Sequence, residues 1–96
     1  MLPDAPLIGL VEDDPIMGES LVQRLALEGV TVKWWQGGME ALGEMGRHPL
    51  QAVVCDIRLP DLSGEAVFRE AVRTANAPPI IFITGHGDIP MSVRAM

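Results

Sequence analysis

The sequence predicts an α/β fold, a parallel β-sheet with helices on both of its faces. Short apolar runs at residues 7–11, 52–55 and 80–84 alternate with helical patterns. This alternation requires parallel strands joined by right-handed crossovers. Acids follow the first two runs and a threonine closes the third. Open α/β sheets bind ligands beyond the carboxyl ends of their strands, so these polar residues are expected to share one crevice.

The first strand and helix have clear signals. Residues 7–11 are continuously apolar, which is typical of a strand buried on both faces. Asp14 followed by Pro15 predicts an N-cap and a first helical position. Gly29 predicts the left-handed residue that ends this helix. One apolar stripe of the helix contains Met17, Leu21 and Leu25.

The second strand is predicted over residues 30–35, where the pattern alternates as in a half-exposed edge strand. The two tryptophans of this strand are expected to pack against the core or the sheet edge, and binding of a partner is the alternative. One face would carry Val30, Val32 and Trp34, and the other Thr31, Lys33 and Trp35. A short helix at 39–47 follows, weakened by two glycines that each cost about 1 kcal/mol relative to alanine. These glycines are Gly43 and Gly46.

The second half of the chain repeats the strand and helix pattern. A strand at 52–55 leads to a helix at 64–74, and a strand at 80–84 precedes a last helix whose expected cap is Asp88. The residues of the 64–74 helix expected to face inward are Val67, Phe68, Ala71 and Val72.

Composition excludes several classes of function. The 96 residues carry a net charge of −6 with no run of Lys or Arg, which disfavours direct binding to nucleic acid. The longest strongly apolar stretch, Ile80–Ile83, is far shorter than the ~20 residues of a membrane span. The N-terminus does not resemble a signal peptide. The single cysteine, Cys55, predicts an inert buried thiol. A cytoplasmic location is therefore expected.

The acids predict a metal-assisted phosphoryl site. Glu12, Asp13 and Asp56 offer only oxygen ligands, which favours Mg²⁺, or Mn²⁺, over zinc. A carboxylate can also accept a phosphoryl group while a hydroxyl holds one of its oxygens. Asp56 suits the acceptor role and Thr84 the hydroxyl role. Asp61 is interpreted as a turn residue, not as a ligand.

Three segments carry a family resemblance, residues 11–14, 55–64 and 83–91. Together they resemble the receiver domain of bacterial two-component response regulators, over nearly all of the chain. The third segment is most similar to receivers of sigma-54-dependent or helix-turn-helix transcription activators. The resemblance implies a flavodoxin-like, doubly wound parallel sheet with strand order 2-1-3-4-5.

The resemblance also implies roles for individual residues. Asp56 would take a phosphoryl group from the phosphohistidine of a sensor histidine kinase. Asp13 would bind Mg²⁺ directly, Glu12 largely through water, and Arg58 through its backbone carbonyl. Thr84 would hydrogen-bond the phosphoryl group and shift the following loop and helix to control an output domain, expected to be transcriptional. The domain would be a switch with at most weak self-dephosphorylation, without direct contact to nucleic acid or membrane, and homodimers would be compatible with it.

The domain prediction is a tail at residues 1–6 and a receiver at 7–96 that is incomplete at its C-terminus. Family receivers continue with a fifth strand, which carries a lysine and an aromatic switch residue, and with a fifth helix. Lys33 lies in the second strand and cannot replace that lysine. An exposed apolar edge at the fourth strand is expected, and such edges favour association.

Two alternatives belong to other classes. A haloacid-dehalogenase-like phosphatase also uses an aspartyl nucleophile, but it needs a second acid two residues later, where this chain has Arg58. A receiver-like interaction or dimerisation module that works without phosphate is the second alternative. The four residues that argue against it are Glu12, Asp13, Asp56 and Thr84.

Overall fold

The computed structural model describes residues 5–73 and 77–83, which form a four-stranded parallel sheet and three helices. The strands lie in the order β2-β1-β3-β4, which confirms the predicted fold class and the predicted edge position of β2. The elements are β1 (Leu7–Val11), α1 (Pro15–Leu27), β2 (Thr31–Trp35), α2 (Gly38–Met45), β3 (Ala52–Asp56), α3 (Gly64–Val72) and β4 (Ile80–Ile83).

The register of the sheet brings the ends of its strands together. Val11, the last residue of β1, pairs with Trp35 of β2 and with Cys55 of β3. Asp56, the last residue of β3, pairs with Ile83 of β4. Because all four strands are parallel, the residues that follow β1 and β3 meet at one edge of the sheet.

The main core lies on the face covered by α2 and α3. Trp35 and Met45 are buried there against residues of the sheet. The opposite face of β2 carries Trp34, whose indole lies directly over Gly18 of α1. The two faces of β2 therefore bind different helices. The buried core residues are Val11, Trp35, Ala41, Met45, Val53, Cys55, Val67, Ala71, Ile80 and Phe82.

Both ends of α1 follow the sequence prediction. The Asp14 carboxylate accepts the backbone N–H groups of Ile16 and Met17, at 2.9 and 3.4 Å, and Pro15 is the first helical residue. Gly29 has a φ of 79°, in the left-handed region that glycine enters without a steric penalty. Local capping therefore defines this helix.

Several predicted details were wrong. Val72 is 46% exposed, because five positions along a helix rotate it by about 140° away from the buried Val67. The predicted stripe of α1 is only partly buried, with Met17 39% exposed, since the α1 residue that fits against Trp34 is its neighbour Gly18. Helix α2 spans Gly38–Met45 instead of 39–47. Helix α3 ends at Val72 with Arg73 as its C-cap, so it is shorter than the helix predicted over 64–74. Thr84 and the last helix with Asp88 lie outside the described residues.

Candidate functional site

Three acids meet at the carboxyl edge of the sheet. Glu12 and Asp13 follow β1, and Asp56 ends β3. One carboxylate oxygen from each lies within 4.8 Å of the others. Glu12 is 2% exposed and Asp56 is 5% exposed, whereas Asp13 is exposed. We refer to Glu12, Asp13 and Asp56 as the acid pocket; its members were predicted from the sequence, and the structure brings them together.

Glu12 is the least satisfied group of the acid pocket. Its Oε2 accepts the Asp14 backbone N–H at 3.1 Å. Its Oε1 is buried and has no hydrogen-bond donor among the residues that the structure describes. Burial raises the pKa of Glu12 to about 7. The hydrogen bond from the Asp14 N–H lowers this pKa, and the neighbouring charges of Asp56 and Asp13 raise it further. A shared proton or a cation would relieve this arrangement.

The loop after β3 shapes the surroundings of Asp56. Its Oδ1 accepts the backbone N–H of Arg58 at 3.0 Å, and the loop closes through the Gly64 N–H on the Ile57 carbonyl at 2.7 Å. A Cβ atom on Gly64 would lie 2.9 Å from both Ile57 Cα and Phe82 Cε1. This close approach requires glycine, and it holds the Arg58 backbone beside Asp56.

The peptide groups of Glu12 are bound by the two tryptophans of β2. The Glu12 N–H donates to the Trp35 carbonyl at 3.0 Å. The Glu12 carbonyl accepts the Trp34 Nε1–H at 2.9 Å. The sequence predicted packing for Trp34 and gave no sign of this bond, because it joins residues 22 positions apart.

Asp61 places a further carboxylate at this edge of the molecule, outside the acid pocket. The N-cap residue of α2, Gly37, has no side chain that could cap the helix. Asp61 does so instead, accepting the N–H groups of Gly38 and Met39, each at 2.9 Å, while it also accepts the Leu62 N–H within its own turn at 2.9 Å. These bonds, Met39 first, lower the pKa of Asp61. The prediction that Asp61 lies in a turn is confirmed. Its contact with α2 was not predicted, although the absence of a capping side chain at Gly37 could have suggested that a residue distant in sequence caps this helix.

The remaining sequence-predicted residues have simpler surroundings. Cys55 is free and fully buried, and burial raises the pKa of its thiol to about 12, which agrees with the inert thiol that was predicted. Thr84 lies outside the described residues. In the part of the chain that the structure describes, no helix is long and apolar enough to cross a membrane.

Comparisons with known proteins find a matching family and several relatives. The family described as "Response regulator receiver domain" matches residues 8–96. The chain is 38% identical over 92 residues to the C4-dicarboxylate transport transcriptional regulatory protein DctD of Rhizobium meliloti, covering 96% of this chain and 20% of that protein. It is 42% identical over 90 residues to nodulation protein W of Bradyrhizobium diazoefficiens, covering 94% and 40%.

Solved structures share the fold. A putative response regulator from Chloroflexus aurantiacus superimposes with a TM-score of 0.82 at 27% identity, covering 90% of this chain and 72% of that one. Response regulator protein TrrA of Thermotoga maritima, solved in complex with Mg²⁺-BeF, gives a TM-score of 0.78 at 29% identity, covering 85% and 71%. The chain spans less than half of the length of these curated relatives, 20% of DctD and 40% of nodulation protein W.

Proposed function

Because the chain belongs to the response regulator receiver domain family, we propose that it is a phosphorylation-controlled switch with Asp56 as its phosphoryl acceptor. A receiver domain is a signalling domain, and relatives such as DctD are transcriptional regulators by name. Asp56 is the acid that ends strand β3, where its carboxylate lies near Glu12 and Asp13 and accepts the Arg58 backbone N–H.

The acid pocket fits a divalent cation. Its donors are all carboxylate oxygens, the ligands that Mg²⁺ prefers. The observation that carries the proposal is the buried Glu12 Oε1, which lacks a donor among the described residues and lies beside other acids. Asp13, Asp56 and the Arg58 carbonyl would bind the ion, and Glu12 would act through a bound water. A bound cation would offset the charge of the acids and of the incoming phosphoryl oxygens.

The transfer itself exchanges one bond to phosphorus for another. An oxygen of the Asp56 carboxylate attacks the phosphorus of a phosphohistidine on a sensor kinase, the new P–O bond forms, and the P–N bond breaks. The bonding electrons return to the ring nitrogen. A phosphohistidine that is protonated on its other ring nitrogen leaves as neutral imidazole, and an unprotonated one leaves as imidazolate and takes a proton from solvent. Burial of Asp56 at 5% exposure limits competing water. Thr84 would hydrogen-bond the transferred group.

The proposal extends to partners. A histidine kinase would supply the phosphoryl group, and an output domain joined to the receiver would read the switch, as the greater length of the relatives suggests. Slow self-dephosphorylation would end the signal. A cytoplasmic location is part of the same proposal.

The test is the intact mass of the chain after incubation with Mg²⁺ and a small acyl-phosphate donor. One added phosphoryl group is expected, absent after chelation of Mg²⁺ and absent in Asp56→Asn. Asp61→Asn is the matched control, because it removes a carboxylate charge from the same edge outside the acid pocket. Labelling of Asp56→Asn, or no labelling of the unmodified chain, would contradict the proposal and favour the phosphate-independent interaction module.

A further inference from the structure

We propose that Trp34 is a positioning residue of the acid pocket, because its indole N–H fixes the peptide that joins Glu12 to Asp13. This inference rests on the proposed Mg²⁺ site and assigns a role there to a residue that does not itself bind the ion. The carrying contact is the 2.9 Å hydrogen bond from Trp34 Nε1 to the Glu12 carbonyl oxygen.

The hydrogen bond from Trp34 restricts the orientation of both Glu12 and Asp13. A peptide unit is planar, so fixing the Glu12 carbonyl also fixes the nitrogen and Cα of Asp13. The Glu12 N–H is held at the same time by the Trp35 carbonyl at 3.0 Å. Both peptide groups of Glu12 are therefore bound to β2, one by backbone and one by a side chain. Only the side-chain bond depends on the type of residue in β2.

Helix α1 leaves a place for this indole. A Cβ atom on Gly18 would lie 2.1 Å from Trp34 Cζ2 and 2.3 Å from Cε2, closer than side-chain atoms can approach. Gly18 is buried within α1, where glycine costs about 1 kcal/mol relative to alanine through propensity alone. The space that it leaves is filled by the ring whose N–H reaches Glu12. Two chemically independent substitutions can therefore disturb one contact.

The geometry predicts two measurable consequences. Without the indole bond, the Glu12–Asp13 peptide samples more orientations, and the hydrogen-bonded amides of Glu12 and Asp14 exchange with solvent faster. A neutral hydrogen bond of ordinary strength corresponds to a change of roughly fivefold. The ligands of the cation are also less well oriented, so we expect Mg²⁺ affinity to fall by about five- to tenfold. This is at or below the smallest loss usually seen when a residue that hydrogen-bonds to a metal ligand is replaced.

The experiment compares Trp34→Phe and Gly18→Ala. Trp34→Phe removes the donor and keeps a ring over Gly18, whereas Gly18→Ala keeps the donor and displaces the ring. Gly43→Ala is the control for the helix substitution, because a Cβ atom there meets nothing within 4 Å. Phe68→Leu is the control for the aromatic substitution, since Phe68 is half-buried against Phe82 on the other face of the sheet.

Two readouts are measured for each variant. Amide exchange of Glu12 and Asp14 in the metal-free protein, relative to the amides of β3, separates local loosening from loss of global stability. Calorimetric titration with Mg²⁺ gives the affinity. Faster loop exchange and weaker Mg²⁺ binding are expected in Trp34→Phe and Gly18→Ala, with neither change in the controls. Because both variants remove one contact, the double variant should be no worse than the more affected single one.

Two results would overturn the inference. Unchanged loop exchange in Trp34→Phe would mean that the indole does not hold the peptide. Unchanged Mg²⁺ affinity beside faster exchange would mean that the held peptide does not position the ligands. If the unmodified chain binds no Mg²⁺, the proposed function fails by itself, and the exchange comparison still decides whether Trp34 fixes the loop.

Discussion

Two carboxylate-centred regions lie at the same edge of the sheet and differ in how their charges are satisfied. In the acid pocket, Glu12 is buried with an oxygen that lacks a donor among the described residues, and its pKa is raised. Asp61 is exposed and accepts the backbone N–H groups of Gly38, Met39 and Leu62, and its pKa is lowered. The acid pocket destabilises the charged form of Glu12, whereas the surroundings of Asp61 stabilise its charged form.

The difference separates the proposed site of phosphoryl chemistry from a structural contact. Asp61 joins the loop after β3 to the start of α2, and its carboxylate finds donors within the protein itself. The acid pocket holds its carboxylates together without enough donors, so it needs a proton or a cation. A folded protein tolerates such a cost where the missing partner is supplied from outside. The two regions should therefore respond in opposite directions to pH and to neutralisation.

The largest expected effect is that of Glu12→Gln on the metal-free protein. The raised pKa, about 7 against 4.5 for the ordinary group, means that the folded state binds more protons between these values than the unfolded state. Stability therefore falls as pH rises from about 4.5 to 7, and the loss is complete above 7. Glutamine removes this loss and should raise the free energy of unfolding at pH 8 by on the order of 3 kcal/mol.

Urea unfolding at pH 5 and pH 8 in a chelator measures this effect. The unmodified chain should lose stability between the two pH values, and Glu12→Gln should lose less. Glu65→Gln, in the exposed first turn of α3, is a control that retains the slope. An equal slope in Glu12→Gln and the unmodified chain would show that Glu12 is not the strained group.

Addition of Mg²⁺ should stabilise the chain almost as much. A ligand at one hundred times its dissociation constant stabilises the folded state by about 2.7 kcal/mol. The gain should appear at pH 8, shrink in Asp13→Asn, and remain in Asp61→Ala, whose carboxylate lies outside the acid pocket. Thermal unfolding with and without Mg²⁺ tests this, with Na⁺ at equal ionic strength as the control. Equal stabilisation by Na⁺ would indicate screening instead of a bound ion.

Asp61→Ala should have a smaller effect of the opposite sign. Loss of a helix cap costs about 1 kcal/mol, and here it leaves Gly38 and Met39 without their acceptor. Because the pKa of Asp61 is lowered, its contribution is present above the ordinary value of 3.8 and is lost as pH falls through the folded value. Urea unfolding at pH 7 and pH 3 measures this effect. An equal free energy of unfolding for Asp61→Ala and the unmodified chain at pH 7 would show that Asp61 does not stabilise α2.

The smallest expected effect is a partial rescue by Gly43→Ala. This substitution places a methyl group in open space within α2 and should add up to about 1 kcal/mol through helix propensity. If Asp61 acts through the start of α2, the gain should offset part of the loss in Asp61→Ala. The free energies of unfolding of the two single variants and the double variant decide this. A double variant no more stable than Asp61→Ala would contradict it.

The sequence predicted what depends on near neighbours. The Asp14 cap, the left-handed Gly29 and the opposite faces of Trp34 and Trp35 follow from positions within a few residues, and all were found. The convergence of the acids followed from parallel topology. The contacts of Asp61 with Gly38 and of Trp34 with Glu12 were not predicted, because they join residues 23 and 22 positions apart. Gly37 signals only that α2 needs a cap from elsewhere and does not identify the residue that supplies it. They depend on how the elements pack, which one-dimensional periodicity does not record.

The most direct test of the account is the number of protons released when Mg²⁺ binds. Ligands that are protonated when free must lose protons on binding. Calorimetric titrations near pH 6.5, in buffers of different ionisation enthalpy, should show release of part of a proton by the unmodified chain. The release should disappear at pH 9 and in Glu12→Gln. Binding without proton release at pH 6.5, or no binding of Mg²⁺ at all, would contradict the claim that the acid pocket is a strained cation site.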